Sequence, residues 1–123
     1  MFQGLRTVIY HVSDMERAKA WYTEVLGQPP YFDQPYYVGF NVGGYELGLH
    51  PSDSSTDAEK ATSVVTYWGV DDIEATHARL LELGASARTG LMDVGEGIKV
   101  ADVLDPFGNV VGIIYNPHFK LGS

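Results

Sequence analysis

The sequence predicts an α+β protein made of two βαβββ modules, with each helix packed on one face of a curved mixed sheet. Three observations carry that prediction. A strand-like run followed by a capped amphipathic helix occurs twice, glycine- or proline-marked hairpins follow each helix, and the two halves align residue by residue.

Arg6 to Val12 reads as the first strand, because Val8, Ile9, Tyr10 and Val12 are β-branched or aromatic. Ser13 and Glu16 have the spacing of a capping box. Met15, Ala18, Tyr22 and Val25 then recur at helical spacing until Gly27, with Pro29 and Pro30 beyond it. Tyr36 to Val42 and Tyr45 to Leu49 are two strands joined through Gly43 and Gly44, with Asn41 a candidate member of the turn. The polar stretch that follows contains no apolar run and reads as a linker. The whole chain is taken as one domain, 1–123, with module one at 1–51, the linker at 52–62 and module two at 63–117.

Module two restates the first. Val64 to Val70 is a strand, Asp71 and Glu74 give an acidic helix start, and Ile73, His77, Leu80 and Leu81 keep the helical period to Gly84. Ile98 to Leu104 and Val110 to Tyr115 are strands, turned by Asp105, Pro106, Phe107, Gly108 and Asn109. In the alignment Val12 falls on Val70, Asp14 on Asp72, Met15 on Ile73, Glu16 on Glu74 and Ala20 on Ala78. His50-Pro51 falls on Asn116-Pro117.

The chain has 123 residues, 45% of them hydrophobic, and no cysteine. A chain of that length buries roughly two-thirds of its unfolded surface, enough for a core without staples. Disulfides, thiolate metal sites and cysteine nucleophiles are excluded. The 16 acidic and 8 basic side chains give a formal charge of −8, which disfavours nucleic acid as a partner and favours neutral or cationic ones. Met1 to Leu5 lacks a signal-peptide pattern, and no apolar window approaches the ~18 residues of a membrane span, so a cytoplasmic setting is expected and no membrane partner.

Val12-Ser13-Asp14-Met15-Glu16-Arg17-Ala18, then Trp21-Tyr22, Val25-Leu26-Gly27 and finally Asp105-Pro106-Phe107-Gly108-Asn109, resemble the vicinal oxygen chelate superfamily. That superfamily includes glyoxalase I, bleomycin-resistance proteins and extradiol dioxygenases. The resemblance spans the chain and implies a U-shaped sheet around a cavity, with up to four side chains holding one divalent metal. Counting from the motifs places the implied ligand positions at Thr7, Glu46, Val65 and Gly112. Valine and glycine offer no side-chain donor and threonine is a rare ligand, so Glu46 stands alone and no metal or other cofactor is expected.

What the resemblance leaves is the cavity. Strand alternation puts Thr7, Ile9 and His11 on one face, with Val65, Tyr67 and Gly69 their counterparts. Glu46, Gly48 and His50 share a face, as do Val110, Gly112, Ile114 and Asn116. Thr7, Ile9, His11, Glu46, Gly48, His50, Val65, Tyr67, Gly112 and Ile114 are therefore the candidate ligand-binding residues, and the glycines at 48, 69 and 112 are expected to leave room. Glu46 is also a candidate general base, or an ordinary rim carboxylate. His11 and His50 are either ligand contacts or histidines bonded within the sheet.

Tyr10, Trp21, Tyr22 and Trp68 read as core aromatics, whereas Tyr31, Phe32, Tyr36 and Tyr37 read as a loop over the cavity mouth that grips a ligand or a partner subunit. His77 and His118 read as boundary or tail residues. Gly95-Glu96-Gly97 lacks the context of a nucleotide loop.

The resulting expectation is a metal-independent small-molecule-binding protein of the glyoxalase/bleomycin-resistance type, sequestering an aromatic or cationic organic ligand. The resemblance adds a homodimer. The alternative is a metal-dependent lyase, isomerase or dioxygenase whose displaced site uses His11, Glu46 and His50. A dimerisation or regulatory module with a vestigial cavity is the third reading.

Overall fold

A computed structural model of the chain describes residues 3, 5–51 and 65–118. The linker expected at 52–62 lies outside the described residues, as does the start of module two at 63 and 64. The elements run β1 (Thr7–Val12), α1 (Met15–Leu26), β2 (Phe32–Gln34), β3 (Tyr37–Val42), β4 (Tyr45–Pro51), β5 (Thr66–Gly69), α2 (Ile73–Glu82), β6 (Ser86–Gly95), β7 (Ile98–Leu104) and β8 (Val110–Tyr115). They divide into two compact units, Met1–Lys60 and Ala61–Ser123, each a βαβββ arrangement as the repeat predicts.

In the first unit the strand order is β1-β4-β3-β2, with β1 parallel to β4 and the other pairs antiparallel. One side of the sheet carries Tyr10, Val12, Val38, Phe40, Leu47 and Leu49, all buried, and α1 adds Ala18 and Tyr22. Tyr10 and Tyr22 stack at 6.0 Å. Burying three rings and aliphatic chains of this size is what drives the helix onto the sheet. The β3–β4 turn uses Gly43 and Gly44 at φ 59° and 94°, and Asn41 Oδ1 accepts from Gly44 N at 2.9 Å. Both φ values are left-handed, the geometry of a two-residue hairpin.

The second unit has order β5-β8-β7-β6, again with its first and last strands parallel. Ala101, Val103, Val111 and Ile113 are buried, as are Ile73 and Leu80 of α2, which packs on β7 and β8.

Four expectations need correction. The α1 cap is Asp14, whose side chain accepts from Arg17 N, and not Ser13. In α2 the cap is Asp72, accepting from Ala75 N, and not Asp71. In both helices the extended residue directly before the first turn does the capping, one position later than expected. Phe32 to Gln34 forms an edge strand on β3 where a loop is expected. Ser86 to Gly95 is a ten-residue strand that the pattern does not reveal, since it is exposed almost throughout and its register shifts between Ala87 and Thr89, Thr89 and Met92, and Asp93 and Gly95. Each shift flips the alternation on which a strand is recognised.

The register also corrects the repeat. His11 pairs with His50, but its counterpart Gly69 pairs with Ile114 rather than Asn116. Tyr67, not Val65, therefore stands beside Gly112, and Val65 lies just before β5.

Candidate functional site

Alternation sends the side of the first sheet opposite α1 into the open, and the register orders it in rows. Thr7, Glu46 and Asn41 form one row, and Ile9, Gly48, Gly39 and Phe32 the next; His11 and His50 follow as a pair. The six first-module candidates Thr7, Ile9, His11, Glu46, Gly48 and His50 thus share one face. Ile9 is 48% exposed, and Tyr31 and Tyr36 are each 64% exposed beside Phe32. The His11 and His50 rings meet edge to face at 5.3 Å, and His50 Nδ1 donates to the Pro51 carbonyl at 2.9 Å.

Tyr37 is the residue that the sequence reading undervalued. Its hydroxyl donates to Glu46 Oε2, and its ring lies against Phe32 with centroids 6.1 Å apart. Burial pushes the Tyr37 phenol above the ordinary tyrosine value, which keeps it protonated and a donor at neutral pH. The signal was available: counting back from the Gly43-Gly44 turn sets Gly39 opposite Gly48, so Tyr37 lies on the same face. Tyr37 falls both in the strand read from Tyr36 to Val42 and in the aromatic loop, and only the strand reading puts it on this face.

That ring corrects the expected room at Gly48. A Cβ there would stand 2.0 Å from the Tyr37 hydroxyl oxygen, so the space above the glycine is filled. At Gly112 a Cβ would stand 2.6 Å from the Thr66 carbonyl oxygen and 2.7 Å from a Tyr67 ring carbon. Only Gly69 of the three leaves open space.

On the second sheet, Tyr67 is exposed, Ile114 and Val65 are half-buried, and Gly112 is buried under the Tyr67 ring. Beside Gly112 stands Asp102, a buried carboxylate missed from sequence. Its Oδ1 accepts from Thr89 N and its Oδ2 from the Arg88 guanidinium, both at 3.0 Å. The bulge in β6 makes this possible by turning a backbone N–H towards a side chain instead of the ladder.

The divalent metal that the fold family implies does not fit these residues. Thr7 and Glu46 are the sole oxygen donors among the four implied positions, and position 112 is closed to any side chain by backbone. The displaced set also fails to gather. His11, Glu46 and His50 share a face, but Tyr37 lies over Gly48 between Glu46 and His50 and engages the carboxylate. Among the described residues no three His, Asp or Glu side chains stand close enough to hold a metal ion. Glu46 Oε2 is held by the Tyr37 phenol.

No curated protein matches the sequence closely enough to count as a relative. Solved structures do match its fold. A glyoxalase-related enzyme from Fulvimarina pelagi is 20% identical, covering 99% of this chain and 94% of its own, with a TM-score of 0.78. A lactoylglutathione lyase from Agrobacterium tumefaciens is 18% identical over 98% and 100%, with a TM-score of 0.74. The fosfomycin resistance protein FosX from Mesorhizobium loti is 15% identical over 96% of both chains, with a TM-score of 0.73. At these identities the likeness is one of fold. The sequence profile of the glyoxalase/bleomycin resistance protein/dioxygenase superfamily matches residues 4–113, and with the two βαβββ units it makes this chain a member of that superfamily.

Proposed function

We propose that this chain is a small-molecule-binding protein that works without a metal, and that it takes an aromatic or cationic organic ligand on the open face of the first sheet. The observation that carries this reading is the face itself: exposed Ile9 and Phe32, with Tyr31 and Tyr36 beside Phe32, share it with one carboxylate, Glu46, and the His11–His50 pair. Aromatic faces attract a desolvated cation by about 0.5–2 kcal/mol each, and a carboxylate among them adds direct charge pairing. The formal charge of −8 draws cations towards the protein.

On the second sheet, Tyr67 and Ile114, with Gly112 beneath the Tyr67 ring and Val65 just before β5, are proposed as that module's own ligand contacts. Both units are read as modules of one domain, and the chain as a cytoplasmic homodimer. Light scattering on the purified protein tests the dimer, and a monomer at micromolar concentration removes it.

The test of function combines two measurements on protein purified without chelator or affinity metal. Elemental analysis is expected to return each transition metal far below one per chain. A thermal-shift and calorimetric screen of aromatic amines and planar heterocycles is expected to return saturable binding that weakens in His11→Ala and Glu46→Ala. One metal ion per chain would restore the lyase or dioxygenase reading. A screen without hits on folded protein would overturn the binding reading.

A further inference from the structure

The chain keeps a ring of its own where a guest ring has room to lie. Across the open face of the first sheet one row runs Ile9, Gly48, Gly39 and Phe32, an apolar side chain at each end and two positions without Cβ between. The three atoms nearest a Cβ at Gly48 all belong to Tyr37: its Oη at 2.0 Å, Cζ at 2.6 Å and Cε1 at 2.9 Å. Over Gly39 the neighbours are Glu46 Oε1 at 3.3 Å and Tyr31 Cε1 at 3.5 Å. The phenol rests on bare backbone and gives its proton to a hydrogen bond with Glu46 Oε2.

We propose that Tyr37 is a displaceable stand-in for the ligand: a planar ring bearing one N–H or O–H donor takes its place over Gly48 and bonds to Glu46 while Tyr37 turns off the face. The inference rests on the reading of this face as the binding site and deepens it by naming the shape and the donor. The exchange replaces one donor on the carboxylate with another, so little is lost when Tyr37 leaves. A ring without a donor leaves the half-buried Glu46 carboxylate without that bond, a loss of one hydrogen bond to a charged group. Tyr37 and Glu46 thereby set selectivity, and Gly48 is required because any Cβ would occupy the slot.

The experiment titrates the full chain with p-cresol, which reproduces the tyrosine side chain, and with toluene, which lacks only the hydroxyl. Calorimetry is run on wild type, Tyr37→Ala and Tyr37→Phe, with circular dichroism to verify folding. Tyr37→Ala is expected to bind p-cresol at least about tenfold more tightly than wild type, and to prefer it over toluene at least about tenfold, the value of one hydrogen bond to a charged group. That preference is expected to vanish in Tyr37→Ala/Glu46→Ala, and binding to vanish in Tyr37→Ala/Gly48→Ala. A folded Tyr37→Ala that binds p-cresol no better than wild type overturns the proposal, as does equal binding of toluene. Should Tyr37→Ala not fold, Tyr37→Phe carries the comparison, because it lacks the tether to Glu46 and is expected to yield its place to p-cresol more readily than wild type. An empty ligand screen of wild type with tight p-cresol binding to Tyr37→Ala overturns the binding-protein reading and supports the slot. A successful screen with no p-cresol binding to Tyr37→Ala overturns the stand-in.

Discussion

Asp105 opens the turn that the sequence resemblance marks most clearly, and its role is structural. The carboxylate is 4% exposed. Oδ1 accepts from Phe107 N at 2.9 Å and Asn109 N at 2.8 Å, while Oδ2 accepts from Asn109 Nδ2 at 2.9 Å. Asp105→Ala leaves two buried backbone N–H groups and a buried amide without that acceptor. At about 1–3 kcal/mol for each stranded group, partly relieved by rotation of Asn109, the loss comes to about 3–5 kcal/mol. A chain of this size loses roughly 3–5 °C per kcal/mol, so melting should fall by about 10–20 °C. Asp105→Asn keeps Oδ1 but turns an NH₂ towards Asn109 Nδ2, costing about 1–2 kcal/mol. Adding Asn109→Asp to Asp105→Asn restores a donor facing an acceptor and should recover more than half of that loss. Urea and thermal unfolding followed by circular dichroism give all three values. A loss below about 1 kcal/mol for Asp105→Ala, or a double variant no better than Asp105→Asn, would refute the accounting.

Three further outcomes are expected. Asp14→Ala and Asp72→Ala each remove the acceptor for a first-turn N–H and should each cost about 1 kcal/mol in urea unfolding. Glu96 holds a left-handed φ of 60° between Gly95 and Gly97, so Glu96→Gly should raise stability by about 0.5–1 kcal/mol, measured the same way. The exposed Lys99–Glu74 bridge, 3.0 Å long, is expected to show its pH dependence at low salt. The hydrogen bond from Lys99 holds Glu74 below 4.5, so this stability is present above that value and lost as pH falls through the lowered one. The same bond holds Lys99 above 10.5, so it is lost again as pH rises through the raised value. Melting of Glu74→Gln should therefore differ most from wild type between those limits, and the difference should shrink in about 1 M salt.

The strands with steady alternation were readable: Ile98 to Leu104 and Val110 to Tyr115 have the boundaries that their apolar residues predict. So were the glycine hairpin at Gly43-Gly44 and the helix stop at Gly27, whose φ of 71° only glycine adopts without strain. β6 was not, because its edge position and shifting register leave Leu91, Met92 and Val94 exposed and no single face to recognise. The shared face of Ile9, His11, Glu46 and His50 was legible from period two alone. What fills it was not. A glycine in a strand reads as space, yet the partner that uses the space comes from another strand, as Tyr37 does at Gly48 and a neighbouring strand's Tyr67 at Gly112. Asp102 escaped notice for the same reason, since its partners Arg88 and Thr89 reach it through a bulge.

Each unit joins its first strand to its last by a parallel pair, β1 with β4 and β5 with β8, and everything between is hairpin or helix. The β3–β4 hairpin closes over two residues, a microsecond event, whereas β1 is recruited only after a long loop has been closed. The first strand is thus the one whose pairing closes the longest loop of its unit, and the β1–β4 pairing is the seam that loop makes. Ile9 and His11 sit on one side of that seam, Glu46 and His50 on the other. Any molecule resting on both sides stitches them together, so occupancy of this face and slowed amide exchange along β1 are one and the same equilibrium.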